Sequence, residues 1–296
     1  MNVTFRQLRL FLALAETGSV SRAAARLHVT QPTASAQLKE LTEAIGLPLH
    51  EVISRRVHLT DAGRSLAQTA RDMMMAWEAF EQHVDQVKGL SRGRLRIAAV
   101  STAKYFIPRL VGSFCKLHPA IDVSLEVLNR DGVVARLKEN LDEIYIMSMP
   151  PDFIDLEDEV FMENPLVLIA ARQAFQPSRL PRTLADLRGQ RFILREQGSG
   201  TRMATDQHFR THRFTPDVRL ELGSNEAIKE AVAGGLGLGV ISLHALNGTG
   251  GLRDLRRLDV EGFPISSRWH VVHPRAKQLS PIAQAFRGHL LARTQR

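Results

Sequence analysis

The sequence predicts a mixed α/β chain in three parts: a small helical head closed by a basic hairpin, one long helix, and a larger region of alternating strands and helices. Three observations carry this. Two short alanine-rich amphipathic patterns meet at a turn before Thr30, a heptad pattern of apolar residues runs from Leu66 to Val87, and a new periodicity of βα units begins after Gly93.

In the head, Ser19 to Leu38 reads as two helices joined by a tight turn, a helix-turn-helix. Val20, Ala23, Ala24 and Leu27 give the first helix a small apolar face that admits close approach. Thr30 is placed to cap the second helix, and Pro32 falls in its first turn, where a missing N–H costs nothing. Ala34, Leu38, Leu41 and Ile45 recur at helical spacing and point inward. The other face carries Gln31, Pro32, Thr33, Ser35 and Gln37, whose short amide and hydroxyl groups suit base edges in a major groove. After Gly46, the stretch Leu47 to Thr60 is β-branched near its ends and basic at its centre, as in a small hairpin. Its tip, Arg55 and Arg56, makes it a wing that places guanidinium groups beside phosphates or a minor groove.

Thr60-Asp61 caps the long helix, and from there to Lys88 there is no proline and no glycine beyond Gly63. Leu66, Ala70, Met73, Trp77, Phe80, Val84 and Val87 alternate four and three residues apart. At 1.5 Å per residue the helix is about 40 Å long, and a seam of that length pairs with a second copy of itself. Leu66, Met73, Trp77, Phe80 and Val84 are therefore the candidate dimerisation residues. The division expected is a DNA-binding head at 1–61, a linker helix at 62–90 and a ligand-binding domain at 91–296.

Composition narrows the class. The 296 residues are 44% hydrophobic, enough for one small and one larger core, and the net charge of +8 favours polyanionic partners. A single cysteine, Cys115, excludes an internal disulfide and reads as a buried structural thiol on a helix. There is no signal peptide or transmembrane run, so the expected location is cytoplasmic with no membrane partner. The histidines lack metal-ligand spacing, and no serine sits in a nucleophile elbow, so neither a metal nor catalysis is expected. Gly234 to Gly239 imitates a dinucleotide fingerprint, but it follows a helix and leads into a strand, the reverse of the phosphate-binding context.

Phe11 within Leu8 to Ala15, Gly18-Ser19, Ala23 to Leu27, Thr30-Gln31-Pro32 and Leu59 to Gly63 together make the chain resemble the LysR-type transcriptional regulators along its full length. That resemblance implies a winged helix-turn-helix, a linker helix and a two-lobed, periplasmic-binding-protein-like α/β effector domain. Lobe I is expected at about 91–162 and 266–296, and lobe II at about 163–265. The sequence departs from the family at His50-Glu51-Val52, where an aromatic residue followed by Glu-Arg is usual. Thr102 to Arg109, Arg130 to Leu137, Tyr145 to Pro151 and Arg195 to Arg202 look most like the regulators of carbon-fixation (Calvin-cycle, CbbR-type) operons. Ser148-Met149 stands where a Gly-Arg pair is expected.

In such a fold a ligand lies at the carboxyl ends of strands, against helix N-termini. The run after the strand Arg94 to Val100 offers Ser101, Thr102 and Lys104, and the run after Arg191 to Leu194 offers Arg195, Gln197, Ser199, Thr201 and Arg202. Hydroxyls, free N–H groups and cations in these positions suit a small anionic metabolite, such as a phosphorylated one, rather than a cofactor. Asn225-Glu226 opens a third helix nearby. The expected partners are double-stranded promoter DNA, the effector, a second copy of the chain as dimer and tetramer, and RNA polymerase. Two alternatives stay open: a LysR-type regulator of inorganic-carbon, sulfur or nitrogen metabolism, and an anion-binding protein or enzyme whose N-terminal helices only dimerise it.

Overall fold

Small side chains at the helix crossings build the N-terminal unit, residues 1–81 of a computed structural model that describes residues 2–53, 56–87, 93–246 and 254–294. Helix α1 (Phe5–Thr17) starts at a reciprocal cap, with Thr4 Oγ1 accepting from the Gln7 amide and the Gln7 side chain accepting from the Thr4 amide. Helices α2 (Val20–Arg26) and α3 (Gln31–Ile45) follow. Leu10, Phe11 and Leu14 meet Ala23, Ala24, Ala34, Leu38 and Leu41 in one buried cluster, with Val20, Leu27 and Ile45 packed partly buried around it. Thr30 Oγ1 accepts from the Thr33 amide at 3.3 Å, and Pro32 lies in the first turn of α3.

Strands β1 (His50–Ile53) and β2 (Arg56–Leu59) pair antiparallel, with Ile53 opposite Arg56. Arg55 lies outside the described residues. Helix α4 (Asp61–Val87) is locked to this hairpin: Thr60 Oγ1 donates to the Pro48 carbonyl and accepts from the Gly63 amide. Gly63 is required by closeness, since a Cβ there would lie 1.9 Å from the Leu49 carbonyl oxygen. Ala67 and Ala70 are buried, but farther along α4 the apolar stripe opens to solvent, with Met73 and Trp77 43% exposed and Phe80 55%.

The second unit, residues 82–296, carries two five-stranded sheets. Its chain order is β3 (Gly93–Val100), α5 (Ile107–Leu117), β4 (Ile121–Leu128), α6 (Arg130–Lys138), β5 (Ile144–Met147) and β6 (Leu156–Glu163). Next come β7 (Leu166–Ala171), β8 (Arg191–Arg195), α7 (Gly200–Thr211), β9 (Asp217–Leu222), α8 (Asn225–Ala233), β10 (Leu238–Ser242) and β11 (Leu255–Leu258), and finally β12 (Arg268–Pro274) and α9 (Pro281–Thr294). One sheet runs β4-β3-β5-β12-β6, the other β11-β7-β10-β8-β9. In the first, β3 is parallel to β4 and β5 while β12 is antiparallel to β5 and β6. Leu95, Ile97, Tyr145, Trp269 and Phe286 anchor its core; Leu168, Phe192, Phe209 and Val240 anchor that of the second. The chain passes twice between lobes, and the two passages are tied by Asn164 N to Ser267 O at 2.8 Å and by Leu166 and Ile265 exchanging both backbone bonds.

Three features lack a local sequence signal. The run after β3 begins as a 3-10 turn, Ser101–Tyr105, broken at Phe106 before α5 begins at Ile107. Phe106 leaves helical geometry to pack its ring against Trp269 at 5.1 Å, and Pro108 then occupies the first turn of α5. Strand β6 has an acidic sequence that gives little hydrophobic alternation, and its neighbours compensate: Glu163 pairs with Arg268, Asp158 with His270, Glu157 with Arg275 and Glu159 with Arg287. The four-residue β11 escapes the pattern through shortness. Cys115 is only partly buried on α5. Among the described residues no helix is long and apolar enough to cross a membrane.

Candidate functional site

Two sets of side chains stand out, one in each unit. On α3, Gln31, Pro32 and Thr33 are exposed, with Ser35 and Gln37 half-buried beside them. Gln31 Nε2 donates to Ser35 Oγ at 3.0 Å, so these two groups, one turn apart, share a face. The Thr30 and Thr33 hydroxyls lie 2.8 Å apart. The core residues Ala34, Leu38 and Leu41 form the buried stripe flanked by Gln31 and Ser35 on one side and by Thr33 and Gln37 on the other, which fixes the orientation of the helix. Arg56 is exposed on β2.

The second set lies where the two lobes of the larger unit meet. Strands β3 and β8 end at Val100 and Arg195, and the turns that follow them touch: Arg195 Nη2 donates to Ser101 Oγ at 3.1 Å. Thr102, Ser199 and Thr201 are almost fully buried. Ser199 occupies the N-cap of α7 without a side-chain cap bond, so the first amides of a twelve-residue helix are left uncapped beside three hydroxyls. Gln197 is exposed. Gly198 has a left-handed φ of 79°, and a Cβ there would lie 2.2 Å from the Asp131 carboxylate of the other lobe, whose amide donates to Gly198 O at 3.3 Å.

The cations at this junction are already paired. Arg195 makes two bonds to Glu196, at 2.7 and 2.9 Å, and reaches Asn225 Oδ1 at 3.4 Å. Arg202 was expected to face a ligand; it turns inward instead, with Nε on Asp206 at 3.0 Å and Nη1 on Glu221 and the Arg195 carbonyl, both at 2.8 Å. Burial pulls its proton affinity down, but Glu221 and Asp206 prevail and raise it, so Arg202 is a charged brace of the lobe rather than a free anion ligand. Lys104 likewise carries a carboxylate: its Nζ donates to Glu226 Oε2 at 2.7 Å across the lobes, and Tyr105 Oη donates to Glu226 Oε1 at 2.6 Å. Burial alone would raise the Glu226 carboxyl, yet these two hydrogen bonds bring it down to about 2. Tyr105 is pushed well above the ordinary phenol range by burial and then by Glu226.

Arg130 and Ser148, which are not among the ligand contacts expected from sequence, also lie at this junction. Arg130 is buried and donates from Nε to the Met149 carbonyl at 2.7 Å, which holds Met149 at a left-handed φ of 61°. A Cβ on Gly200 would lie 2.8 Å from Ser148 Oγ, so Ser148 faces the start of α7. The signal that marked Ser101 and Ser199 was present here too: Asn129 to Gly132 joins a strand to a helix, with Asn129 capping the Gly132 amide at 2.9 Å. Gly234 to Gly239 joins α8 to β10 and lies at the start of no helix.

A helix-turn-helix head and a two-lobed domain with polar groups gathered at its strand ends define a ligand-responsive transcriptional regulator. The chain belongs to the LysR family: residues 5–64 match the bacterial regulatory helix-turn-helix protein, lysR family, and residues 88–295 match the LysR substrate binding domain. It is similar to the HTH-type transcriptional activator CmpR of Synechocystis, 42% identical and covering 98% of this chain and 96% of that one. It is also similar to the RuBisCO operon transcriptional regulator of Acidithiobacillus ferrooxidans, 40% identical and covering 98% of this chain and 94% of that one. Among solved structures, the regulatory domain of Synechocystis PCC6803 CcmR in complex with 2-PG is 47% identical with a TM-score of 0.66, covering 69% of this chain and 99% of that one. The relatives are transcriptional regulators rather than enzymes.

Proposed function

We propose that this regulator controls carbon-fixation or inorganic-carbon genes and reads the metabolic state through a small phosphorylated acid, 2-phosphoglycolate or a close analogue, held where its two lobes meet. In this reading residues 1–61 bind promoter DNA, α4 pairs with its copy in a dimer that doubles to a tetramer, and the assembly acts on RNA polymerase. Gln31, Pro32, Thr33, Ser35 and Gln37 read bases, while Arg55 and Arg56 hold phosphates. The observation that carries the ligand class is the uncapped start of α7 beside the buried hydroxyls of Thr102, Ser199 and Thr201. Hydroxyls gathered beside an uncapped helix start favour an acceptor-rich guest, and a phosphate supplies three acceptor oxygens. The 2-PG bound by the CcmR regulatory domain, taken as 2-phosphoglycolate, is of that chemistry. Ser101, Thr102, Ser199 and Thr201 thus form the direct contacts, with Gln197 at the rim and Arg195 supporting Ser101. A bound anion links the two lobes and shifts the equilibrium between open and closed forms through its different affinity for each.

Calorimetric titration of 2-phosphoglycolate into the wild type and the Thr102→Val/Thr201→Val double variant tests the assignment. Each hydrogen bond to a charged group is worth about 1.5–3 kcal/mol, so the double variant should bind at least about a hundredfold more weakly. Equal affinity would place the site elsewhere.

A further inference from the structure

We infer that Glu226 is a built-in competitor of the effector: its carboxylate occupies Lys104 and Tyr105 across the lobes and thereby sets the affinity an anion must reach before it binds. The inference rests on the reading of the lobe junction as the effector site. Lys104 Nζ and Tyr105 Oη converge on the two oxygens of one carboxylate, at 2.7 and 2.6 Å, from positions 122 and 121 residues away. Glu226 is the second residue of α8, where its carboxylate also accepts from its own backbone amide, while Ser224 Oγ caps the Ala227 amide at 3.1 Å and keeps the helix start capped when the carboxylate leaves. Its neighbour Asn225 accepts from Arg195, and Arg195 donates to Ser101, which makes the arrangement continuous with the proposed ligand contacts.

An anion settling on Ser101 and Thr102 meets one of two situations. If Lys104 stays on Glu226, the ligand approaches a like charge without the help of Lys104. If it takes Lys104, it replaces one carboxylate by itself and releases Glu226 to water, which its half-exposed side chain permits. A simple carboxylic acid then gains almost nothing, because it exchanges one carboxylate for another and still loses its own freedom of motion. A phosphate monoester brings up to two charges and three acceptor oxygens, enough to hold Lys104 while also meeting the amides of α7. The internal carboxylate weakens every ligand that uses Lys104 by the same factor, and so leaves only intrinsically strong ones bound at working concentration.

The test is calorimetry on the full chain with inorganic phosphate, 2-phosphoglycolate and glycolate as probes. Glu226→Gln should tighten phosphate and 2-phosphoglycolate by a common factor of about tenfold and bring glycolate into the measurable range. Adding Lys104→Gln to that background should remove the gain. Tyr105→Phe, which takes away one of the two hydrogen bonds, should give a smaller gain in the same direction and serves if Glu226→Gln fails to fold. No tightening in any of these variants, or a gain that survives Lys104→Gln, overturns the inference. Failure of the effector reading is seen separately, as unchanged 2-phosphoglycolate binding in Thr102→Val/Thr201→Val, while the phosphate series still decides the role of Glu226.

Discussion

Phe80→Asp should convert the dimer to monomers at micromolar concentration and, with them, abolish tight promoter binding. Within one chain Phe80 is 55% exposed and its ring meets Trp77 at 5.6 Å, so its apolar surface is left for another molecule to cover. Met73 and Trp77 extend the same exposed stripe at heptad spacing, and the Phe5 ring meets Trp77 at 5.6 Å with a tilt of 56°. Losing a buried phenylalanine forfeits about 1.5–3 kcal/mol per copy, and a carboxylate placed without a partner in the seam adds several more. Because a dimer carries the change twice, its dissociation constant should rise by at least about three orders of magnitude. Light scattering with size-exclusion chromatography reads the mass directly, and circular dichroism shows whether the head stays folded. A folded Phe80→Asp protein that remains dimeric would show that α4 is not the interface.

Gln31→Ala/Ser35→Ala should lose sequence preference without losing general DNA affinity. Gln31 is exposed and Ser35 half-buried beside the stripe of Ala34, Leu38 and Leu41, and neither belongs to it, so the substitutions leave the core intact. Each good base contact discriminates by about 1–3 kcal/mol, so losing two makes the operator at least about thirtyfold weaker while non-specific binding is unchanged. Arg56→Ala should behave differently, weakening every sequence and lowering the salt slope by about one. Fluorescence anisotropy on operator and scrambled duplexes at three salt concentrations separates the two patterns. Retained preference in the double variant would remove Gln31 and Ser35 from the reading set.

The parts of the molecule legible in the sequence are those fixed by local chemistry. Thr30, Pro32 and the Ala34, Leu38, Leu41 spacing specify α3 without help from elsewhere, and the heptads specify α4. Strand β6 was not legible because its Glu157, Glu159 and Glu163 are matched by cations more than a hundred residues away, on and around β12 and α9. The site divides the same way. Strand-to-helix junctions announce Ser101, Ser199 and Arg130 alike. What no local pattern reveals is the state of a charge: Lys104 and Arg202 look free in sequence, and only the fold brings Glu226 to one and Glu221 to the other. A cation's partner is a tertiary fact, and here it changes the role of both residues.

The central claim is that one chain couples sequence-specific DNA binding to a phosphorylated acid. The most direct measurement is the affinity of the full-length protein for promoter DNA flanking its own gene, against a scrambled duplex, with and without saturating 2-phosphoglycolate at fixed salt. The expected result is at least about a thousandfold preference for the promoter, and a shift in promoter affinity or footprint on adding 2-phosphoglycolate that is absent in Thr102→Val/Thr201→Val. Equal affinity for the two duplexes, or a ligand response unchanged in the double variant, would contradict it.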